Sequence, residues 1–466
     1  MTKHTHGRVA GQVRRARQQL LEDQDLCLTR LLPGRRVAEA LQRYGVRFRH
    51  RLYTPLVTLW MFLYQVLSAD QSCRAAVARL LAWLSLGDDS QPSAADGPYC
   101  KARQRLPEPL LADLARQSGA EVHQQAPAMN LLQGRPIKIA DGTMVSMPDT
   151  PANRKAYPQP PSQKPGVGFP LLRLVALISL SCGAVLDVAI APYSGKQTGE
   201  TALFRQLFGG LRAGEVLLGD AIFGNYWTMV MLQQRQVDVL SRHDGKRRID
   251  WCTGQRLGRR DHVVFWVKPA RPKWMSRRLY RSLPKTLAVR EVEVEVPQRG
   301  FRTRRLLLVT TLLDGQLYPR EELAAAFRAR WHGELDLRAI KSVMQMDVLR
   351  CKTPQMVRKE LWMHVLAYNL VRQLMLEAAT AAQVSPRDLS FKGTLQTLVA
   401  FAGVGGSGPP QRSDARYRAI LRAVASHRVN NRPDRVEPRA VKRRAKPYDL
   451  LNEPRAVVKA RLLQRS

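Results

Sequence analysis

Residues 327–341 read Phe-Arg-Ala-Arg-Trp-His-Gly-Glu-Leu-Asp-Leu-Arg-Ala-Ile-Lys. Pro319, Glu321 and Glu322 just upstream have the chemistry of a helix start, so the stretch is predicted to be helical. At about 100° per residue, Phe327, Arg330, Glu334, Arg338 and Lys341 fall within roughly 80° of one another on one face. Three cations there surround a single carboxylate. An acid framed in this way suits a metal ion whose other ligand is a nucleic-acid phosphate, the glutamate holding the cation and the basic groups holding the phosphates. The plainer alternative is a basic amphipathic helix with one acid–base pair four residues apart.

Two further carboxylates favour the first reading. Asp141 follows Ile137-Lys138-Ile139-Ala140, and Asp220 follows Glu215-Val216-Leu217-Leu218-Gly219. Each is a short, mostly apolar segment that stops at an acid, the pattern of a buried strand presenting a side chain at its carboxyl end. A strand-end aspartate by itself is commonly a turn former or a helix cap. Two such aspartates with a helix-borne glutamate form a set of oxygen-only donors, which selects hard Mg²⁺ or Mn²⁺.

These three segments, in this order, resemble the acid boxes of the DDE transposases of the insertion-sequence-four family. That family's helix pattern is Tyr, two residues, Arg, three residues, Glu, six residues, Lys; it is matched at the same spacings by Phe327, Arg330, Glu334 and Lys341, with Phe replacing Tyr. Asp141-Gly142-Thr143 and Gly219-Asp220 are similar to the first and second boxes. The resemblance covers residues 130–380. It implies an α/β, RNase H-like mixed sheet flanked by helices and interrupted by a mostly β insertion. It also implies two-metal DNA cleavage, a hairpin on the excised end and joining of that end to target DNA.

The formal net charge of +37 points independently to a polyanionic partner, nucleic acid being the usual one. A membrane-surface role is disfavoured, because no apolar run is long enough to span a bilayer. The longest, Leu174 to Leu186, is bounded by Arg173 and Asp187 and reads as two core strands joined near Cys182-Gly183. The six cysteines include no Cys-x-x-Cys pair and fit reduced thiols in a cytoplasmic protein; the resemblance adds a bacterial nucleoid as its place of work.

The length suggests two or three domains. Residues 1–126 are predicted to be a helical, DNA-binding N-terminal domain, with a helix starting at Thr54-Pro55, a second over Ser72–Leu84 and a basic turn over Tyr99–Leu106. Lys101, Arg103, Arg105 and the Arg14-Arg15-Arg17 cluster are its candidate phosphate contacts. Residues 127–242 hold the first part of the catalytic domain, three strands, helix, strand, helix, strand. Residues 243–312 alternate at 263–268, 291–296 and 304–313 and form the β-rich insertion. Residues 313–400 complete the catalytic domain, including a long amphipathic helix over Thr353–Ala379 with His364 as a core histidine. Residues 401–466 form a basic tail, with Lys442-Arg443-Arg444, that reads as a flexible arm.

The predicted metal ligands and catalytic groups are Asp141, Asp220 and Glu334, all ionised at neutral pH. Phe327, Arg330, Arg338, Lys341, Arg242, Arg247 and Trp266 are the predicted DNA contacts, with Trp266 or Phe301 stacking on a base. If Glu334 were not the third acid, Glu360 or Glu377 would be the next candidates. The expected partners are double-stranded terminal inverted repeats, target DNA and a second copy in a synaptic dimer. A metal-dependent nuclease of the same fold and a catalytically retired DNA-binding descendant are the rival functions.

Overall fold

β1 (Ile137–Ser146) organises the sheet that carries the two aspartates. Ile137, Ile139 and Ala140 are buried, as a strand covered on both faces requires. The computed structural model describes residues 27–48, 51–84, 93–126, 132–295, 305–403, 410–429 and 449–464. Phe301, Arg14-Arg15-Arg17 and Lys442-Arg443-Arg444 lie outside the described residues.

The chain forms two compact units, one of residues 1–127, 182–186 and 336–429, the other of residues 128–181, 187–335 and 430–466. Residues 313–400, expected to complete the catalytic domain, are thus divided between the units after residue 335.

In the second unit, β2 (Leu171–Ser179) pairs antiparallel with β1, placing Asp141 opposite Ala176. β3 (Val185–Pro192) lies outside β2, and Gly183 in the connecting turn has φ +79°, a left-handed conformation that glycine adopts without strain. β4 (Val216–Gly219) and β5 (Asp238–Arg242) add in parallel on the other side of β1. The order β3-β2-β1-β4-β5, antiparallel at β2 and parallel at β4 and β5, is that of an RNase H-like sheet, as expected. The helices Glu200–Gln206 and Tyr226–Gln233 take the two helical places in the expected order of elements, the second capped by Asn225, whose side chain accepts from the Thr228 amide at 3.0 Å.

The insertion continues this sheet. β6 (Gln255–Gly258), β7 (Asp261–Val267), β8 (Thr286–Glu295) and β9 (Arg305–Thr310) are all antiparallel, and β9 pairs with β5, giving nine strands in one sheet. The alternating polar positions of β7 and β8 are not simply solvated. Arg290 chelates Asp261 (2.8 and 2.7 Å), and Glu291 accepts from Trp266 Nε1 (2.8 Å) and contacts His262 Nε2 (3.1 Å), all of them buried.

In the first unit, Thr54 accepts from the Val57 amide and starts the Pro55–Leu67 helix, with Cys73–Leu84, Gly97–Arg105 and Glu108–Gln125 following. The helix Pro354–Ala381 is buried on nearly all faces, not amphipathic as expected. Its polar groups are individually satisfied: Asn369 accepts from Val185 N and donates to Ala115 O, while Arg372 and Arg387 both hold the buried Asp336. His364 is a core histidine, and burial pushes its imidazole down to about 3, so the ring is neutral. The predicted flexible tail is corrected in part. Residues Pro410–Ser426 form a helix that buries Tyr417, Ile420 and Val424, because those apolar groups recur at helical spacing.

Candidate active site

Asp141 and Asp220 are neighbours by register. Ala140 pairs with Gly219 across parallel β1 and β4, so the next residue on each strand is an aspartate. β1 does not stop at Asp141 as predicted; it runs on to Ser146 against β2, and only its pairing with β4 ends at Ala140. Burial falls over Asp141–Met144, so the acid sits where the strand first opens to solvent. Asp220 turns the chain sharply: its carboxylate accepts from the Ala221 amide at 2.6 Å, and its carbonyl accepts from Ser241 Oγ of β5 at 2.7 Å. Asp141 accepts from the Gly142 amide at 2.9 Å.

Glu334 reaches the strands through an unusually close backbone approach. A Cβ on the preceding residue, Gly333, would lie only 2.8 Å from Cγ2 of the buried Ile139, two positions before Asp141 on β1. Only glycine lets the helix descend this far. The helix itself is segmented rather than continuous. Arg320–Ala329 and Trp331–Arg338 are separate helices, followed by a π-helical stretch over Ala339–Val343. Such local π turns recur at functional sites, and here one contains Lys341.

Arg330 Nη2 donates to Glu334 Oε1 at 2.7 Å, and the guanidinium lies over the Phe327 ring at 5.8 Å. Phe327 is buried, so its expected DNA contact is corrected to packing beneath Arg330. Asp141 is pushed up to about 6. Burial is the main cause, the Gly142 amide and Arg330 oppose it, and Glu334 and Asp220 add to it. The expected full ionisation of Asp141 at neutral pH is thereby weakened, because burial outweighs the nearby cation. Glu334 and Asp220 thus each lie within electrostatic reach of Asp141.

Among the described residues, no three His, Cys, Asp or Glu side chains converge as a ready metal cage. The donor chemistry nevertheless fits a hard divalent ion: three carboxylates, one of them half-buried and incompletely compensated, and one engaged by an arginine. Glu360 and Glu377 are unsuitable as substitutes, since Glu360 is buried and accepts from the Arg350 and Cys351 amides, and Glu377 accepts from Tyr417.

The remaining predicted contacts separate into three groups. Arg242, which ends β5, and Arg247 are exposed. Trp266 is corrected from a base-stacking residue to a core residue: its ring nitrogen is bonded to Glu291, and the Arg247 guanidinium lies over its ring at 4.3 Å. Arg338 is exposed and Lys341 half-buried, and both belong to the first unit, in its segment 336–429. Arg103 of the N-terminal region is likewise buried, donating to Cys73 Sγ at 3.0 Å, and is unavailable to phosphates. Sequence reading passed over Phe265 and Trp331, which are 69% and 56% exposed. The alternation in β7 does set Phe265 on the face opposite Trp266, but it cannot say which face is wet.

No described helix is long and apolar enough to cross a membrane. A family model described as "Transposase DDE domain" matches residues 132–370. The transposase InsG for insertion sequence element IS4 of Escherichia coli K12 is 25% identical over 411 residues, 86% of this chain and 88% of that protein. The putative transposase InsL for insertion sequence element IS186A of the same organism is 33% identical over 66 residues, 14% of this chain and 18% of that protein. A piggyBac transposase synaptic complex with hairpin DNA overlaps 85% of this chain and 84% of its own at 10% identity, with a TM-score of 0.41, too low to bear on the fold.

Proposed function

This chain belongs to the DDE transposase family and is a DNA transposase, and from that premise we propose that Asp141, Asp220 and Glu334 are its phosphoryl-transfer centre. The observation that carries this reading is the juxtaposition of Asp141 and Asp220 at the end of one parallel strand pair, with the Glu334 helix seated on β1 through Gly333. The three carboxylates would hold Mg²⁺, or Mn²⁺ in its place. When bound, such ions supply Lewis-acid stabilisation of the attacking and leaving oxygens of an in-line displacement.

The chain's own groups do the rest. Asp141 must lose its proton to act as a ligand, and with its carboxyl near 6 it does so across the neutral range. Arg330 holds Glu334 until DNA arrives, and its guanidinium then has a phosphate to exchange for the carboxylate. Arg338, Lys341, Arg242 and Arg247 supply further positive charge for the terminal inverted repeats and target DNA. Water cleaves at the element end, the freed 3′-hydroxyl attacks target DNA, and two copies act together in a synaptic dimer. Chromosomal DNA in the bacterial cytoplasm is the place of action.

A labelled end duplex incubated with Mg²⁺ and a supercoiled target tests this reading. Nicking followed by joined product is expected. Nicking without joining would leave only the nuclease reading, and binding without nicking would leave only a retired DNA-binding protein.

A further inference from the structure

A concavity of about 450 Å³ in the first unit belongs to no part of the site above. Its rim carries Arg47, Arg51 and Arg105, all exposed, beside the half-exposed ring of Phe48. Its floor is apolar, formed by Pro55, Ala102 and Leu106, each buried. That volume is within the range in which single ligands are enclosed, roughly 300–1,000 Å³.

The three rim arginines differ from their neighbours. Arg30, Arg36 and Arg43 are neutralised by Asp414, Glu121 and Asp113. Among the described residues, no hydrogen bond or ion pair engages the side chain of Arg47, Arg51 or Arg105. Three uncompensated guanidiniums around one hollow repel each other and favour an anion with several charges.

The aromatic wall is built in depth. Tyr53 lines the cavity, and its ring centroid is 6.0 Å from that of the fully buried Tyr99. Tyr99 donates to Gln65 Oε1 at 2.8 Å, and Arg103 lies over its ring at 5.1 Å. The buried Arg103 therefore stiffens this wall from behind. A firm aromatic wall, an exposed Phe48 and free guanidiniums combine a stacking surface with phosphate donors. A base inside a duplex has both faces covered by its neighbours, whereas an unpaired base has a face to offer.

We propose that this cavity binds an unpaired nucleotide of a DNA strand, Phe48 and Tyr53 flanking the base and Arg47, Arg51 and Arg105 meeting the adjacent phosphates. The proposal rests on the reading of this chain as acting on DNA, and adds to it a single-strand site outside the acid centre.

The full-length protein in chelator, where no cleavage occurs, is titrated with two probes: a short oligothymidylate carrying one 2-aminopurine, and a blunt duplex. Phe48→Ala should weaken oligonucleotide binding by about tenfold and dequench the 2-aminopurine, with duplex affinity changed less than about twofold. Phe48→Trp should retain the oligonucleotide. Replacing Arg47, Arg51 and Arg105 together by Ala should lower the logarithmic salt slope for the oligonucleotide by roughly 2. These side chains are exposed, and an unchanged melting temperature checks the fold of each variant. Failure of the wild-type protein to bind the oligonucleotide, unchanged binding by Phe48→Ala, or equal losses for oligonucleotide and duplex would each overturn the proposal. Cleavage of an end duplex by the same protein with Mg²⁺ in place of the chelator separates the two readings: cleavage without oligonucleotide binding sinks only the cavity, and the reverse sinks only the acid centre.

Discussion

One sheet carries two groups of carboxylates that are treated in opposite ways. On β7 and β8, Asp261 is chelated by Arg290, and Glu291 is bonded by Trp266 and His262, so each buried acid has oriented partners. Where the parallel pairing between β1 and β4 ends, Asp141 and Asp220 are neighbours, the Glu334 helix is seated on β1 beside them, a single arginine, Arg330, acts on Asp141 and Glu334, and Asp141 is held above its ordinary ionisation range. The first arrangement is a finished internal structure. The second leaves negative charge under-compensated, which costs stability in the isolated chain and creates affinity for a cation. The contrast locates chemistry in this sheet better than the number of acids does.

The comparison is broken most severely at Arg290. Arg290→Ala leaves Asp261 buried and without its chelating guanidinium, and should cost about 3–5 kcal/mol in urea denaturation. A loss below about 1 kcal/mol would mean that Asp261 does not depend on Arg290 for its charge compensation.

Asp141→Asn should act in the opposite direction. In the fold the carboxyl rises from 3.8 to about 6, so the native state holds this proton more tightly than the unfolded chain does. The associated stability is present below about pH 4 and lost as pH rises through about 6, by up to about 3 kcal/mol. The variant should therefore be more stable than wild type by about 1–3 kcal/mol at pH 8 without metal, by the same linkage, and equal to it in strong acid. His364 titrates in the opposite sense, costing stability as pH falls below 6.5, so the measurement is the difference between the two proteins. If Asp141→Asn proves less stable at pH 8, the acid centre is compensated after all.

Gly333→Ala probes how the acids are brought together. Its methyl group must displace Ile139 or lift the helix, at a cost of about 1–3 kcal/mol. Nicking should fall further than stability alone explains, and a variant that nicks at the wild-type rate would show that the close approach is dispensable.

Glu334→Gln should have the smallest effect on stability, under about 1 kcal/mol, because its ion pair with Arg330 is partly exposed, with 38% of the carboxylate side chain accessible. It should nevertheless abolish nicking while end binding persists. Nicking at the wild-type rate would show that Glu334 is not the third acid.

Much of this was written along the chain. The apolar runs ending in Asp141 and Asp220, the spacing of Phe327, Arg330, Glu334 and Lys341, and the alternation at 263–268 and 291–296 identify strands, helix and acids from local periodicity, because side-chain direction repeats every two or about 3.6 residues. What local pattern could not supply was the environment of each side chain. Trp266, Phe327 and Arg103 look like DNA contacts by composition and are core groups in the fold. Burial and partner choice arise from segments distant in sequence: Glu291 lies 25 residues from Trp266, and Arg103 lies 30 from Cys73. The same holds for the three acids. The sequence by itself determined which acids could serve, through their type and spacing. Only the tertiary structure decided that β1 and β4 run in register at Ala140 and Gly219, that Gly333 lets Glu334 approach β1, and that the charge of Asp141 is incompletely compensated, since each depends on long-range pairing and on the exclusion of water.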